Sequence, residues 1–246
     1  SIAGETGEFD LMTKDRFHNE RVGVVEASET DQFFVELVGP HPAQQTQVTP
    51  GAATPTVSGT VFTKPGGIFG ARYSATVAGD YSMTVKIAGQ HAIGSPFSVT
   101  IYPTVAVAQA SRVISGDTVD GRVDNETHVT VQAYDRFGNR LGTANDAFLG
   151  DFSEADRPTL LSDPQTKSIG QGKYNISFIV TKTGTYQAFI TLDSQPVMGS
   201  PVDLNIVSGY TSALRSLVNA TDISLTTAGM PFAFKIHAFD RFSNPR

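Results

Sequence analysis

The feature that most constrains this chain is that it repeats itself. Laid on itself at a shift of 105 residues, Gly67-Ile68-Phe69-Gly70-Ala71-Arg72-Tyr73 and Gly79-Asp80-Tyr81 fall on Gly172-Lys173-Tyr174-Asn175-Ile176-Ser177-Phe178 and Gly184-Thr185-Tyr186. Gly94-Ser95-Pro96 lands on Gly199-Ser200-Pro201, with Phe97, Val99 and Ile101 opposite Val202, Leu204 and Ile206. A period near 100 residues is the size of a whole domain and too long for a solenoid turn. The pentapeptide Asp-Arg-Phe-x-Asn occurs at 15–19, 135–139 and 240–244; the last two copies keep the shift of 105, whereas the first two stand 120 apart. Repeat 1 therefore carries 15 extra residues between its motif and its aromatic block, placed near 41–55. This spacing predicts one domain over 1–103, a second over 104–208, and the first strands of a truncated third over 209–246.

Each copy is written in the alternation of half-buried strands. Phe9-x-Leu11, Val129-x-Val131 and Phe234-x-Ile236 precede the three motifs. Phe33-x-Val35-x-Leu37, Phe97-x-Val99-x-Ile101 and Tyr174-x-Ile176-x-Phe178 repeat the pattern between Gly, Pro, Asp and Asn. No segment of ten or more residues has helical spacing. Short strands with turn signals every 8–12 residues or so predict an all-β chain of antiparallel β-sandwiches.

Composition removes several function classes. The net charge is −6, with no block of lysine or arginine, so there is no electrostatic footprint for phosphate backbones, and nucleic acid is not expected as a partner. No apolar run reaches the ~20 residues of a membrane helix, so membrane insertion is not expected. The chain has no cysteine, which removes disulfides and thiolate metal sites without fixing the compartment. No signal-peptide pattern opens the sequence, and the first copy begins without an opening strand, as expected of a fragment from a longer array.

These blocks resemble filamin-type immunoglobulin-like repeats. The similarity rests on Phe33-Phe34-Val35-Glu36-Leu37-Val38-Gly39-Pro40, on Gly94-Ser95-Pro96-Phe97-Ser98-Val99, and on Asp135-Arg136-Phe137-Gly138-Asn139 with the tyrosine block and Gly199-Ser200-Pro201. Repeat 2 departs from the pattern: Phe148-Leu149-Gly150-Asp151-Phe152 stands where a Gly-Pro strand belongs, which puts its third strand in question. The resemblance implies tandem immunoglobulin-like sandwiches that act as a spacer and protein-binding platform, with partners added as β-strands. It further implies a cytoplasmic setting in a cytoskeletal or axonemal (ciliary) scaffold, or alternatively an extracellular adhesion or gamete-surface module.

The pentapeptide reads as a structural joint. An Asp at a strand end satisfies turn amides, and a Gly or Asn nearby accepts positive φ. The expected turn residues are Asp15 and Asn19, Asp135, Gly138 and Asn139, and Asp240 and Asn244. Because His18 and Ser243 replace Gly138, a left-handed conformation is either tolerated there or shifted onto the Asn. Arg and Phe would cover the open end of the sandwich. Equivalent copies on separate domains do not converge on one cleft, so no catalytic residue is assigned and no enzyme is expected.

Other constellations carry little. The five histidines, at 18, 41, 91, 128 and 237, form no paired metal spacing, and no metal site or cofactor is expected. Gly66-Gly67-Ile68-Phe69-Gly70 precedes a strand and lacks the helix terminus of a phosphate loop. A calcium-bridged reading of Asp15, Asp135 and Asp240 lacks accompanying acidic ligands. Sequons at Asn125, Asn175 and Asn219 tilt slightly toward a cell surface. The expected partner surface is the third strand of repeat 1, where Phe34, Glu36 and Val38 face away from the core beside an exposed edge; a neighbouring repeat or the 41–55 insertion is the competing cover.

Overall fold

The computed structural model describes residues 1–14, 17–18, 20, 32–40, 54–65, 68–142, 145–153, 155–218 and 227–246. Asp15, Asn19, Asn219 and residues 41–53 of the insertion lie outside the described residues. The chain divides into two units: Ser1–Val105 with Asp135–Leu141, and Ala106–Tyr134 with Gly142–Arg246.

In the first unit the strands are β1 (Thr6–Leu11), β2 (Phe33–Val38), β3 (Thr56–Ser58), β4 (Thr60–Thr63), β5 (Phe69–Ser74), β6 (Gly79–Ile87), β7 (Gln90–His91) and β8 (Phe97–Ile101). One sheet runs β1-β5-β4; the other runs β3-β2-β6-β7, with β8 also paired to β6. Their inner faces meet over Val35, Leu37, Phe69, Ala71, Tyr81, Met83, Val85 and Ile101. The Phe33 and Phe69 rings stack obliquely with centroids 4.6 Å apart. Alternation places these residues: β2 buries Val35 and Leu37 and turns Phe34 and Val38 out.

The second unit contains β9 (Arg112–Val113), β10 (Thr118–Arg122), β11 (Glu126–Gln132), β12 (Phe148–Asp151), β13 (Gln165–Gly170), β14 (Lys173–Ile179), β15 (Gly184–Leu192), β16 (Gln195–Pro196), β17 (Val202–Val207), β18 (Leu217–Val218) and β19 (Ile236–His237). The sheets are β10-β17-β15-β12 and β13-β14-β11-β9, with β16 on β15 and β18 paired to β19. Tyr174, Ile176 and Phe178 are all buried, as the pattern predicts. The questioned third strand is present: β12 pairs with β15 from Phe148–Leu192 to Asp151–Phe189. Among the described residues the only helical element is a 3-10 turn at Arg157–Thr159.

The two units repeat small devices as well as strands. Tyr81 donates its hydroxyl to the Val77 carbonyl at 2.8 Å, and Tyr186 donates to that of Lys182 at 2.9 Å. Ser95 Oγ accepts the Val85 amide at 2.9 Å, and Ser200 Oγ accepts that of Ile190 at 2.8 Å. Burial pushes the Tyr81 phenol up to about 12 and raises that of Tyr186.

Two patterned segments are less covered than their alternation predicts. Phe234 and Ile236 are exposed, because among the described residues β19 pairs only with β18 and no second sheet lies over it. Phe97 is 38% exposed although its counterpart Val202 is fully buried.

Candidate interaction sites

The pentapeptide folds as a closed hydrogen-bonded turn. Asp135, fully buried, accepts the amides of Phe137 (2.9 Å) and Asn139 (2.8 Å) on Oδ1. On Oδ2 it accepts the Thr104 amide at 3.0 Å and Asn139 Nδ2 at 2.9 Å. The backbone closes the same loop: Asp135 N–H donates to the Asn139 carbonyl and Gly138 N–H to the Asp135 carbonyl, both at 2.9 Å.

The buried Asn139 also reaches well outside the turn. Its Nδ2 donates to the Thr76 carbonyl at 2.8 Å, and its Oδ1 accepts the Ala78 amide at 2.9 Å. Residues 76–78 lie in the link from β5 to β6, so the side-chain amide brackets a loop of the preceding repeat that crosses from one sheet to the other. Phe137 packs against the core of the same unit. The guanidinium of Arg136 sits over the Phe137 ring, 4.7 Å from its centroid.

The third copy repeats the arrangement inside the second unit. Asp240 Oδ1 accepts the amides of Phe242 and Asn244, both at 2.9 Å, and Oδ2 accepts the Gly209 amide at 2.9 Å. Asn244 Nδ2 donates to the Thr181 carbonyl at 2.9 Å, and its Oδ1 accepts the Thr183 amide at 3.2 Å. Burial alone pushes the Asp240 carboxyl up, but hydrogen bonds from the Asn244 side chain and from the Gly209, Asn244 and Phe242 amides leave it below the usual aspartate value. Arg241 pairs with Asp124 and lies over Phe242.

Positive φ falls on the fourth residue of the motif in all three copies: 69° at His18, 79° at Gly138 and 67° at Ser243. The left-handed conformation is therefore tolerated in His18 and Ser243, and neither Asn139 nor Asn244 takes it over.

The second candidate is the outer face of β2. Phe34 and Val38 are 44% and 40% exposed, Glu36 is half-buried between them, and Lys86 Nζ lies 5.9 Å from the Phe34 ring centroid. The expected exposed edge beside them is corrected by the structure. Three rungs pair β2 with β3, from Glu36–Ser58 to Val38–Thr56. Gly59 N–H donates to the Val35 carbonyl at 2.8 Å and Gly39 N–H to that of Pro55 at 3.0 Å. Residues 55–59 therefore occupy the edge from Val35 to Gly39, while Phe34 and Val38 stay exposed on the outer face. The sequence offered no signal for this, because β3 spans three residues behind a Pro-, Gln- and Thr-rich stretch.

Among the described residues, no three His, Asp or Glu side chains come together to hold a metal ion. His91 Nδ1 lies 3.1 Å from Ser95 Oγ, and His128 Nδ1 lies 3.0 Å from Ser177 Oγ. Asn125 is exposed in the turn before β11, whereas Asn175 lies half-buried in β14 with its Oδ1 accepting Thr130 Oγ1 at 2.9 Å. No described helix is long and apolar enough to cross a membrane.

Residues 106–203 match the family described as the Filamin/ABP280 repeat. Among solved structures, the Escherichia coli adhesin FdeC is similar at a TM-score of 0.68 and 19% identity, over 98% of this chain and 71% of that one. Yersinia pseudotuberculosis InvD is similar at a TM-score of 0.54 and 18% identity, over all of this chain and 69% of that one. At these identities the likeness is one of fold.

Proposed function

We propose that this chain, whose residues 106–203 form a filamin-type repeat, is a structural spacer and protein-interaction module of a longer multi-repeat protein. The observation that carries the reading is the bracket made by the motif asparagine. Asn139 binds Thr76 and Ala78, and Asn244 binds Thr181 and Thr183, each pair lying in the preceding repeat. A motif that completes the fold of the repeat before it suits a chain built to be read in series. In its second and third copies the Asp and Asn side chains are taken up by hydrogen bonds within the turn and to the bracketed loop, an arrangement of a structural joint and not of an acid, base and nucleophile converging on a substrate. Comparing residues 1–141 with residues 1–134 tests this. The longer chain melts at the higher temperature if the motif completes the first unit; equal midpoints refute the reading.

Partners dock, in this proposal, on the outer face of β2 through Phe34, Glu36 and Val38, an apolar patch with one carboxylate at its centre. An exposed aromatic flanked by charge is the composition of a binding anchor. A cytoskeletal or axonemal scaffold is the setting that the filamin-type repeat favours. An extracellular adhesion module is the second reading, favoured by the exposed Asn125 sequon and by a fold shared with a bacterial adhesin. Intact mass of the chain from its native source separates them: a glycan on Asn125 selects the surface, and an unmodified Asn125 selects the scaffold.

A further inference from the structure

The outer face of β2 and β6 carries charges that complement their own two-fold image. Phe34 stands opposite Lys86 in the register of the two strands, and Glu36 stands opposite Thr84. Glu36 and Lys86 are therefore diagonal neighbours on one face, and Phe34 lies next to both. Both charged residues are half-buried, and among the described residues neither enters an ion pair; Lys86 Nζ lies 5.9 Å from the Phe34 ring centroid. The neighbours are short: Ser58 pairs with Glu36 from β3, and Ser82 pairs with Val38 from β6. A second sheet can therefore approach Phe34 closely.

The second unit lacks this pattern at the equivalent place. Leu149 pairs with Thr191 between β12 and β15 as Phe34 pairs with Lys86, so the cation is replaced by a threonine. Asp151 stands where Glu36 does, but its carboxylate already meets Arg157 at 3.3 Å. An unpaired acid and an unpaired base beside an exposed aromatic belong to the first unit alone of these two faces.

We infer that this face pairs with the same face of a second copy of the chain, in an isologous contact. The inference rests on the reading of the β2 face as a partner surface and names the partner. With about 3.3 Å per residue along a strand and about 4.8 Å between strands, Glu36 and Lys86 lie about 8 Å apart, and a two-fold axis in the plane of the face that exchanges their positions passes within about 2 Å of Phe34. One rotation thus sets Glu36 of each copy against Lys86 of the other and lays the two Phe34 rings together. The strands of the two sheets then cross at roughly 70°, near the orthogonal class of sheet packing. The aromatic pair forms the apolar centre, and the two ion pairs fix the orientation.

The test is sedimentation of the full chain at rising concentration, with a thermal melt of each variant as the control for folding. The wild type forms a concentration-dependent dimer. Phe34→Ala, Glu36→Lys and Lys86→Glu each weaken it by about tenfold or more with the melting temperature kept. Because the contact is isologous, an equimolar mixture of the Glu36→Lys and Lys86→Glu chains regains the dimer, and so does a chain carrying both substitutions. A wild type that stays monomeric up to about 1 mM, a dimer indifferent to the single reversals, or a mixture no better associated than its components overturns the inference. A monomeric wild type overturns it alone, since the reading of the face as a partner surface is decided separately, by whether Phe34→Ala keeps its affinity for another protein.

Discussion

Asn139 donates its side-chain amide to the carbonyl of Thr76, 63 residues earlier in the chain, at 2.8 Å. Asn244 makes the same bond to Thr181, also 63 residues earlier, at 2.9 Å. Because the two bonds recur at one repeat period, they belong to the design of the repeat. Each asparagine is buried, and each meets three groups: its own motif aspartate, a carbonyl and an amide of the bracketed loop. An Asn side chain, with two donors and one acceptor oxygen, fits that demand, which Asp or Ser cannot meet.

Ser243 holds φ at 67° where repeat 2 uses Gly138 at 79°. A non-glycine side chain in that region costs roughly 1 kcal/mol. Ser243→Gly therefore leaves the second unit equally or more stable, by up to about 1 kcal/mol, the relief being offset in part by glycine's extra freedom in the unfolded chain. Gly138→Ala destabilises the first unit by about the same amount. Urea denaturation of the two variants checks both signs.

The carboxyl of Asp240 is held below its ordinary value in the fold. Its contribution to stability is therefore fully present above the unfolded value of about 3.9 and is lost as pH falls through the lower folded value. Unfolding midpoints followed down through that window fall more steeply for the wild-type chain than for Asp240→Asn. Parallel profiles would show that the carboxylate is not selectively stabilised.

Tyr81 has its phenol pushed up to about 12 by burial. The neutral form is favoured in the fold, so its stabilising effect is whole below the unfolded value of about 10 and is lost as pH rises from there toward 12. Tyr81→Phe removes this alkaline sensitivity and costs about 1 kcal/mol at neutral pH through loss of the bond to Val77. Phenolate absorbance titrated alongside unfolding measures both.

Phe34→Ala separates a partner surface from a covered one. If the face of β2 binds a protein, the variant loses about 2 kcal/mol or more of affinity with its melting temperature kept. If the chain itself covers Phe34, the melting temperature falls and affinity per folded molecule stays the same. Both quantities come from one sample.

Much of this fold was legible because its signals are local. Tyr174, Ile176 and Phe178 alternate in the sequence and are buried together, and the Asp135 carboxylate meets amides two and four residues away. The bracket of Asn139 was not legible, since nothing near residue 139 names a carbonyl at residue 76. Phe97 shows another limit: alternation tells which face a residue takes, but whether a further strand covers that face depends on chain elsewhere. The edge of β2 was misjudged for a related reason, because its neighbour β3 is too short to have a pattern of its own.

The central claim is that the motif asparagine fastens its turn to the loop of the preceding repeat. The most direct measurement is amide exchange at Ala78 and Thr183, the two donors to those asparagines. The account predicts that Asn139→Ala accelerates exchange at Ala78 and leaves Thr183 unchanged, while Asn244→Ala does the reverse, each by about tenfold or more, as expected when a buried hydrogen bond worth roughly 1.5 kcal/mol is removed. Unchanged exchange at Ala78 in Asn139→Ala, with the chain still folded, would contradict it.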